Sequence, residues 1–240
     1  MRKAIHANCL ALVILPLLSG GPASALVGAD VADRTVQRFT VVVAGAKGRC
    51  SGVVLAADIV LTAAHCIRRG ERYQVGGNLG AGFQTQPPSL LSPVAEIVAH
   101  PLYAPKDSGS PDLAILKLAK PLPDRFIPAV LNPRVPGIGD DLIAAGFGRS
   151  AAGDSAADVA LRMVLLRVSQ SIRGWVVLTR VGEEASEAGP GDSGGPVFAY
   201  RGMHSLVGLM VGVSGSQTKA VALAAHYGWI RETMRKLAAP

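Results

Sequence analysis

The sequence predicts an all-β fold built in two halves of similar size, and three observations carry that expectation. Glycine and proline are plentiful, at 28 and 16 of 240 residues, which suits many short strands joined by turns. Apolar residues fall in short runs separated by turn-rich pieces. Strong helical periodicity is confined to the C-terminus. The hydrophobic fraction of 49% and the charged fraction of 17% belong to a globular chain and exclude a disordered one.

In the first half, strands are expected at Phe39–Ala44, Gly52–Leu55, Ile59–Thr62, Val94–Ala99 and Leu113–Leu118. Gly76–Gly82 and Lys106–Pro111 read as turns. The proline-studded stretch Pro121–Pro136 lacks periodicity and reads as a linker. Further strands are expected at Leu142–Gly146, Arg162–Val168, Trp175–Thr179, Pro196–Ala199 and Leu206–Val213. Trp229, Ile230, Met234 and Leu237 share one face at helical spacing, so a C-terminal helix packed on the second half is expected. No internal repeat or low-complexity tract is present in the sequence.

Residues 1–25 read as a secretory signal peptide. Arg2 and Lys3 form a basic start, Cys9–Leu18 an apolar core, and Ala23-Ser24-Ala25 a small-residue cleavage site. The core is too short to span a bilayer comfortably. Removal of this leader takes Cys9 away and leaves Cys50 and Cys66 as one pair in an oxidising compartment. A disulfide closing that short loop stabilises by about 2–4 kcal/mol. A metal site lacks four ligands at plausible spacing, and no cofactor is expected. The formal charge of +7, two of it in the leader, suits general solubility. No basic run is interleaved with aromatics, so nucleic acid is not an expected partner.

Three motifs carry chemistry. Thr62-Ala63-Ala64-His65-Cys66 offers a histidine beside a disulfide candidate, and Pro111-Asp112-Leu113-Ala114 places an acid just before an apolar strand. Gly191-Asp192-Ser193-Gly194-Gly195-Pro196 sets a serine in a glycine-rich turn. A serine hydroxyl is a poor nucleophile until a neighbouring base takes its proton, and histidine titrates near working pH. A carboxylate fixes the histidine's tautomer and stabilises its imidazolium. Glycines let the backbone turn sharply and aim N–H groups at a developing oxyanion. His100, His204 and His226 carry no such motif and read as structural.

Together these residues resemble the trypsin-like (chymotrypsin-type) serine proteases, over essentially the whole mature chain and in the same order of histidine, aspartate and serine. His100-Pro101-Leu102-Tyr103 and Gly146-Phe147-Gly148 extend the likeness, with Phe147 where tryptophan is usual. The resemblance implies two six-stranded antiparallel β-barrels with a C-terminal helix and an active site in the cleft between them. The mature domain would span 26–240, with a first barrel at about 26–120, a linker at 121–136 and a second barrel from 137. It implies His65, Asp112 and Ser193 as the triad, an oxyanion hole from Gly191 and Ser193, and the disulfide Cys50–Cys66. Protein or peptide substrates and protein inhibitors are the implied partners of a secreted or periplasmic, monomeric endopeptidase without membrane insertion. A non-catalytic binding module of the same fold and a serine esterase are the alternatives.

The resemblance further implies an activation device. Leu26-Val27-Gly28-Ala29 resembles the family's activating N-terminus, whose ammonium pairs with the aspartate before the serine, here Asp192. Because Leu26 directly follows the cleavage site, export and activation would be one cut. For specificity, Glu187 takes the position at the base of the primary pocket, where an acid favours Lys or Arg in the substrate. Val211, Gly212 and Val213 take the positions of the pocket wall, where Val213 would narrow the pocket and favour small residues. These two readings point in different directions.

Overall fold

The computed structural model describes residues 30–77, 89–148, 160–172, 174–181, 189, 191–214 and 217–238. Six strands close into a first antiparallel barrel: β2 (Thr40–Gly45), β3 (Gly48–Ala56), β4 (Ile59–Thr62), β5 (Tyr73–Gly77), β6 (Ser89–Ala99) and β7 (Ala114–Leu118), ordered β2-β3-β4-β7-β6-β5. Before them lie β1 (Asp30–Val31) and a short helix, α1 (Arg34–Phe39).

After β8 (Val130–Leu131) come β9 (Asp141–Gly146), β10 (Arg162–Ile172), β11 (Trp175–Arg180), β12 (Pro196–Ala199), β13 (Gly202–Ser214) and β14 (Gln217–Ala222). Antiparallel pairings run β9-β10-β11-β14-β13-β12 and return to β9, closing a second six-stranded barrel. Two short strands attach outside the ring, β1 on β10 and β8 in parallel on β13. The chain ends in α2 (Tyr227–Ala238).

The apolar runs are continuous where both strand faces are buried. Val41, Val43, Val54, Val60 and Leu116 fill the first barrel with Tyr73, Leu118 and Phe126. Their alternating neighbours Val42, Val53, Ile59, Leu61 and Ile115 join a second core shared with Phe147, Phe198, Leu209 and Ile230. A third core, with Leu142, Val164, Leu166, Val176 and Met210, fills the second barrel. The period of two along a strand thus divides one run between a barrel interior and the wall between barrels.

Three local expectations are corrected. Phe39 ends a helix rather than starting a strand, because Asp33 accepts the Val36 N–H at 2.8 Å and caps α1. Gly76 and Gly77 belong to β5; a Cβ at either would strike Ser89 O or the Phe126 ring, so glycine serves close packing there. The Pro121–Pro136 stretch lies between the two barrels, and within it the β13 edge recruits the two-residue β8. Finally, α2 packs on β7 of the first barrel as well as on the Leu223–His226 turn of the second half. The Leu223–His226 turn carries the chain across, and the Ile230, Thr233 and Leu237 face completes the shared core.

Candidate active site

His65 sits in a single 3-10 turn, Ala64–Cys66, directly after β4. Asp112 lies two residues before β7, anchored by fully buried Leu113, whose carbonyl accepts the His100 N–H at 2.8 Å. Since β4 and β7 are paired, with Thr62 opposite Ala114, the two side chains emerge at one end of adjacent strands. Asp112 Oδ1 accepts the His65 main-chain N–H at 2.9 Å, and its Oδ2 lies 2.6 Å from His65 Nδ1. An ionised carboxylate only accepts, so Nδ1 carries the proton and Nε2 presents a lone pair. The carboxylate is 14% exposed and the imidazole 38%, leaving the ring reachable.

The second barrel delivers Ser193 in the turn that enters β12. Gly191 and Gly194 adopt φ of +107° and +82°, a region that favours glycine. The carboxylate of Asp192 is buried, at 1% exposure, and accepts N–H groups from Gly148 at 2.8 Å and Gly189 at 2.9 Å. A Cβ on Gly146 or Gly148 would overlap it, so the Gly146-Phe147-Gly148 motif makes room for this acid. Among the described residues, neither the Gly191 nor the Ser193 N–H donates a hydrogen bond.

Across the cleft, Ser193 O accepts the Ser51 N–H at 2.8 Å and lies 3.9 Å from Cys66 Sγ, itself 3.8 Å from His65 Nε2. Those contacts bring the serine loop against the histidine turn. No hydrogen bond joins the Ser193 hydroxyl to His65 among the described residues. Such bonds are often long without substrate and tighten in the complex.

Cys50 and Cys66 form a disulfide with Cα atoms 6.2 Å apart, tying β3 to the histidine turn. The closed loop of this size is worth about 3 kcal/mol. Cys50, Cys66 and His65 cluster within metal-ligand reach, but the sulfurs are bonded to each other and are not thiolate ligands.

Beside His65 and Asp112 opens a cavity of about 300 Å³ lined by Tyr103, Trp175, Val211 and Lys219. Burial, with the Asp112 charge adding to it, pushes the Tyr103 phenol above its ordinary value. Val213 is 42% exposed, and Glu187 and Leu26 lie outside the described residues. Sequence reasoning missed Ser51, Trp175 and Lys219; all three act on residues far away in the chain, and no local motif marks them.

A family model described as Trypsin matches residues 26–229. The chain belongs to the trypsin family. This trypsin-family chain, in a family of serine endopeptidases, is 34% identical over 125 residues to kallikrein 1-related peptidase b5 of Mus musculus. That match covers 47% of this chain and 45% of the kallikrein, less than half of either. It is 28% identical over 213 residues to a vitellin-degrading protease of Bombyx mori, covering 78% and 77% of the two chains. With granzyme M of Rattus norvegicus it shares 27% over 208 residues, covering 77% and 79%. Two solved structures share the fold, each covering 87% of this chain and 99% of the other. Neuropsin, a serine protease expressed in the limbic system of mouse brain, has a TM-score of 0.69 at 20% identity. A scabies mite inactivated protease paralogue has a TM-score of 0.68 at 21% identity.

Proposed function

We propose that this chain is a secreted serine endopeptidase in which His65, Asp112 and Ser193 cleave peptide bonds through an acyl-enzyme. The observation that carries the reading is the double grip of Asp112 on the main chain and ring of His65, which supports Nε2 as the base. Ser193 Oγ attacks the scissile carbonyl carbon while Nε2 takes its proton. The developing oxyanion meets the Gly191 and Ser193 N–H groups. The C–N bond then breaks and the leaving amine receives the proton held by Nε2. Water, deprotonated by the same nitrogen, attacks the ester, and its cleavage returns the proton to Ser193 Oγ.

The reading extends to activation. The α-ammonium of Leu26, freed by removal of residues 1–25, pairs with the Asp192 carboxylate and orders the oxyanion loop. Its support is the burial of Asp192, its place between the two oxyanion donors, and a family match that begins at residue 26. Taking one partner from a buried ion pair strands a charge, so an unprocessed chain should be inactive.

One preparation tests both parts. Secreted protein should begin at Leu26 by N-terminal sequencing, label with a fluorophosphonate and cleave peptide substrates, with labelling abolished in Ser193→Ala. A folded protein that neither labels nor cleaves overturns the catalytic reading in favour of a binding module. Cleavage of esters without peptides turns it to an esterase. An active chain starting elsewhere overturns the activation step alone.

A further inference from the structure

Ser51 belongs to β3 of the first barrel, yet its polar atoms bind the second barrel's serine loop. It is fully buried. Its N–H donates to Ser193 O at 2.8 Å, and its hydroxyl donates to Gly191 O at 2.8 Å. The same hydroxyl oxygen accepts the Phe147 N–H at 2.8 Å, and the Ser51 carbonyl accepts the Thr62 hydroxyl at 2.7 Å. Donor and acceptor capacity of this side chain are both used, in a place closed to water.

The geometry points to Ser51 as the positioning residue of the oxyanion site, and this inference rests on the proposed catalytic role of Ser193. The two residues offered as oxyanion donors, Gly191 and Ser193, are the two whose carbonyls Ser51 holds. Fixing a residue's carbonyl constrains its ψ and, in a short turn flanked by positive-φ glycines, the aim of the neighbouring N–H groups. Gly191 needs this most, because with φ of +107° and no side chain it is conformationally permissive. The Phe147 N–H, next to the glycine that donates to Asp192, couples the hydroxyl to the same loop from behind. Ser51 also follows Cys50 directly, and Cys66 follows His65, so one disulfide joins the strand that aims the oxyanion donors to the turn that carries the base.

The test compares Ser51→Ala and Ser51→Gly, which keep the N–H bond to Ser193 O and remove the hydroxyl, with the wild-type chain after leader removal. Loss of one oxyanion donor costs about 100- to 1,000-fold in kcat, so misaiming one should cost about 10- to 100-fold. KM for a peptide substrate should change less than about twofold, because the ground-state carbonyl depends little on this site. Amide hydrogen exchange should accelerate at Phe147 and across 191–195 while the β4 amides keep their protection. Unchanged kcat and unchanged exchange across 191–195 in folded variants would overturn the role; the second variant serves where the first does not fold. A wild-type chain with no activity would count against the proteolytic reading, and the exchange comparison would still decide for or against Ser51.

Discussion

Gly194 shows how narrowly the serine turn is specified. Its φ of +82° already disfavours any L side chain, and a Cβ there would run into Ser51 O and the Thr62 hydroxyl. Gly70 has almost the same φ, +80°, but nothing lies where its Cβ would point. The pair separates two costs. Gly70→Ala should lower stability by about 1 kcal/mol through backbone strain alone and leave peptide cleavage unchanged. Gly194→Ala carries that strain plus a collision with main chain, so it should cost at least about 2–3 kcal/mol and abolish cleavage. Urea unfolding with parallel rate measurements checks both, and equal losses at the two sites would refute the crowding argument. The importance of Gly194 was legible in the Gly191–Pro196 motif, since a serine in a sharp turn needs glycine beside it. Ser51 was not legible, because an ordinary serine inside a strand reveals nothing about partners in residues 147, 191 and 193.

Among the elements, those buried on both faces were the easiest to read. Ile59–Thr62 and Pro196–Ala199 were expected with the bounds they have. β5 and β14 escaped notice because glycine in one and alternating Thr218 and Lys219 in the other dilute the apolar signal. Both nonetheless close their barrels, since a strand pairs through its backbone once both neighbours are present. β11 and β14 also supply a clasp between the halves. Trp175 Nε1 donates to Gly109 O at 3.1 Å, and Lys219 Nζ donates to Ser108 O while lying 3.9 Å from the Trp175 ring centroid. The loop they hold is closed internally by Ser110, whose hydroxyl bonds both Ala104 and Asp107, and it leads straight into Asp112. Trp175→Phe should cost about 1 kcal/mol for the lost hydrogen bond. A double-mutant cycle in urea of Lys219→Met with Trp175→Leu, which removes the ring, should give a coupling of about 0.5–1 kcal/mol from the stacked cation. Additive effects would mean that the two side chains hold the loop independently.

At the scale of the whole molecule, the proposed catalytic groups come from different barrels, and the halves are held together by the shared core, the Ser51 bonds, the loop clasp and α2. The two-barrel plan was legible through the motifs and their order; the return of α2 to the first barrel was not, because an amphipathic face does not reveal which partner it covers. That return brings His226 and Trp229 onto His100, with ring centroids 4.9 and 4.6 Å apart. His100 Nδ1 accepts the Leu102 N–H at 3.2 Å, a bond that requires an unprotonated Nδ1. Burial holds the imidazoles of His100 and His226 below their ordinary value, and proximity to His100 lowers His226 further. The unfolded chain therefore takes up protons at a higher pH than the folded one. The contribution is fully present above about pH 6.5, the unperturbed histidine value, and is lost as pH falls from there through the lower folded values. Thermal unfolding should show the melting temperature dropping as pH is lowered from about 7.5 to about 5. His226→Phe keeps an aromatic ring beside His100 while removing one titrating group and its repulsion, so its melting temperature should vary less over the same range. An unchanged pH dependence in that variant would show that the acid sensitivity of the fold originates elsewhere than at the seam where α2 meets the first barrel.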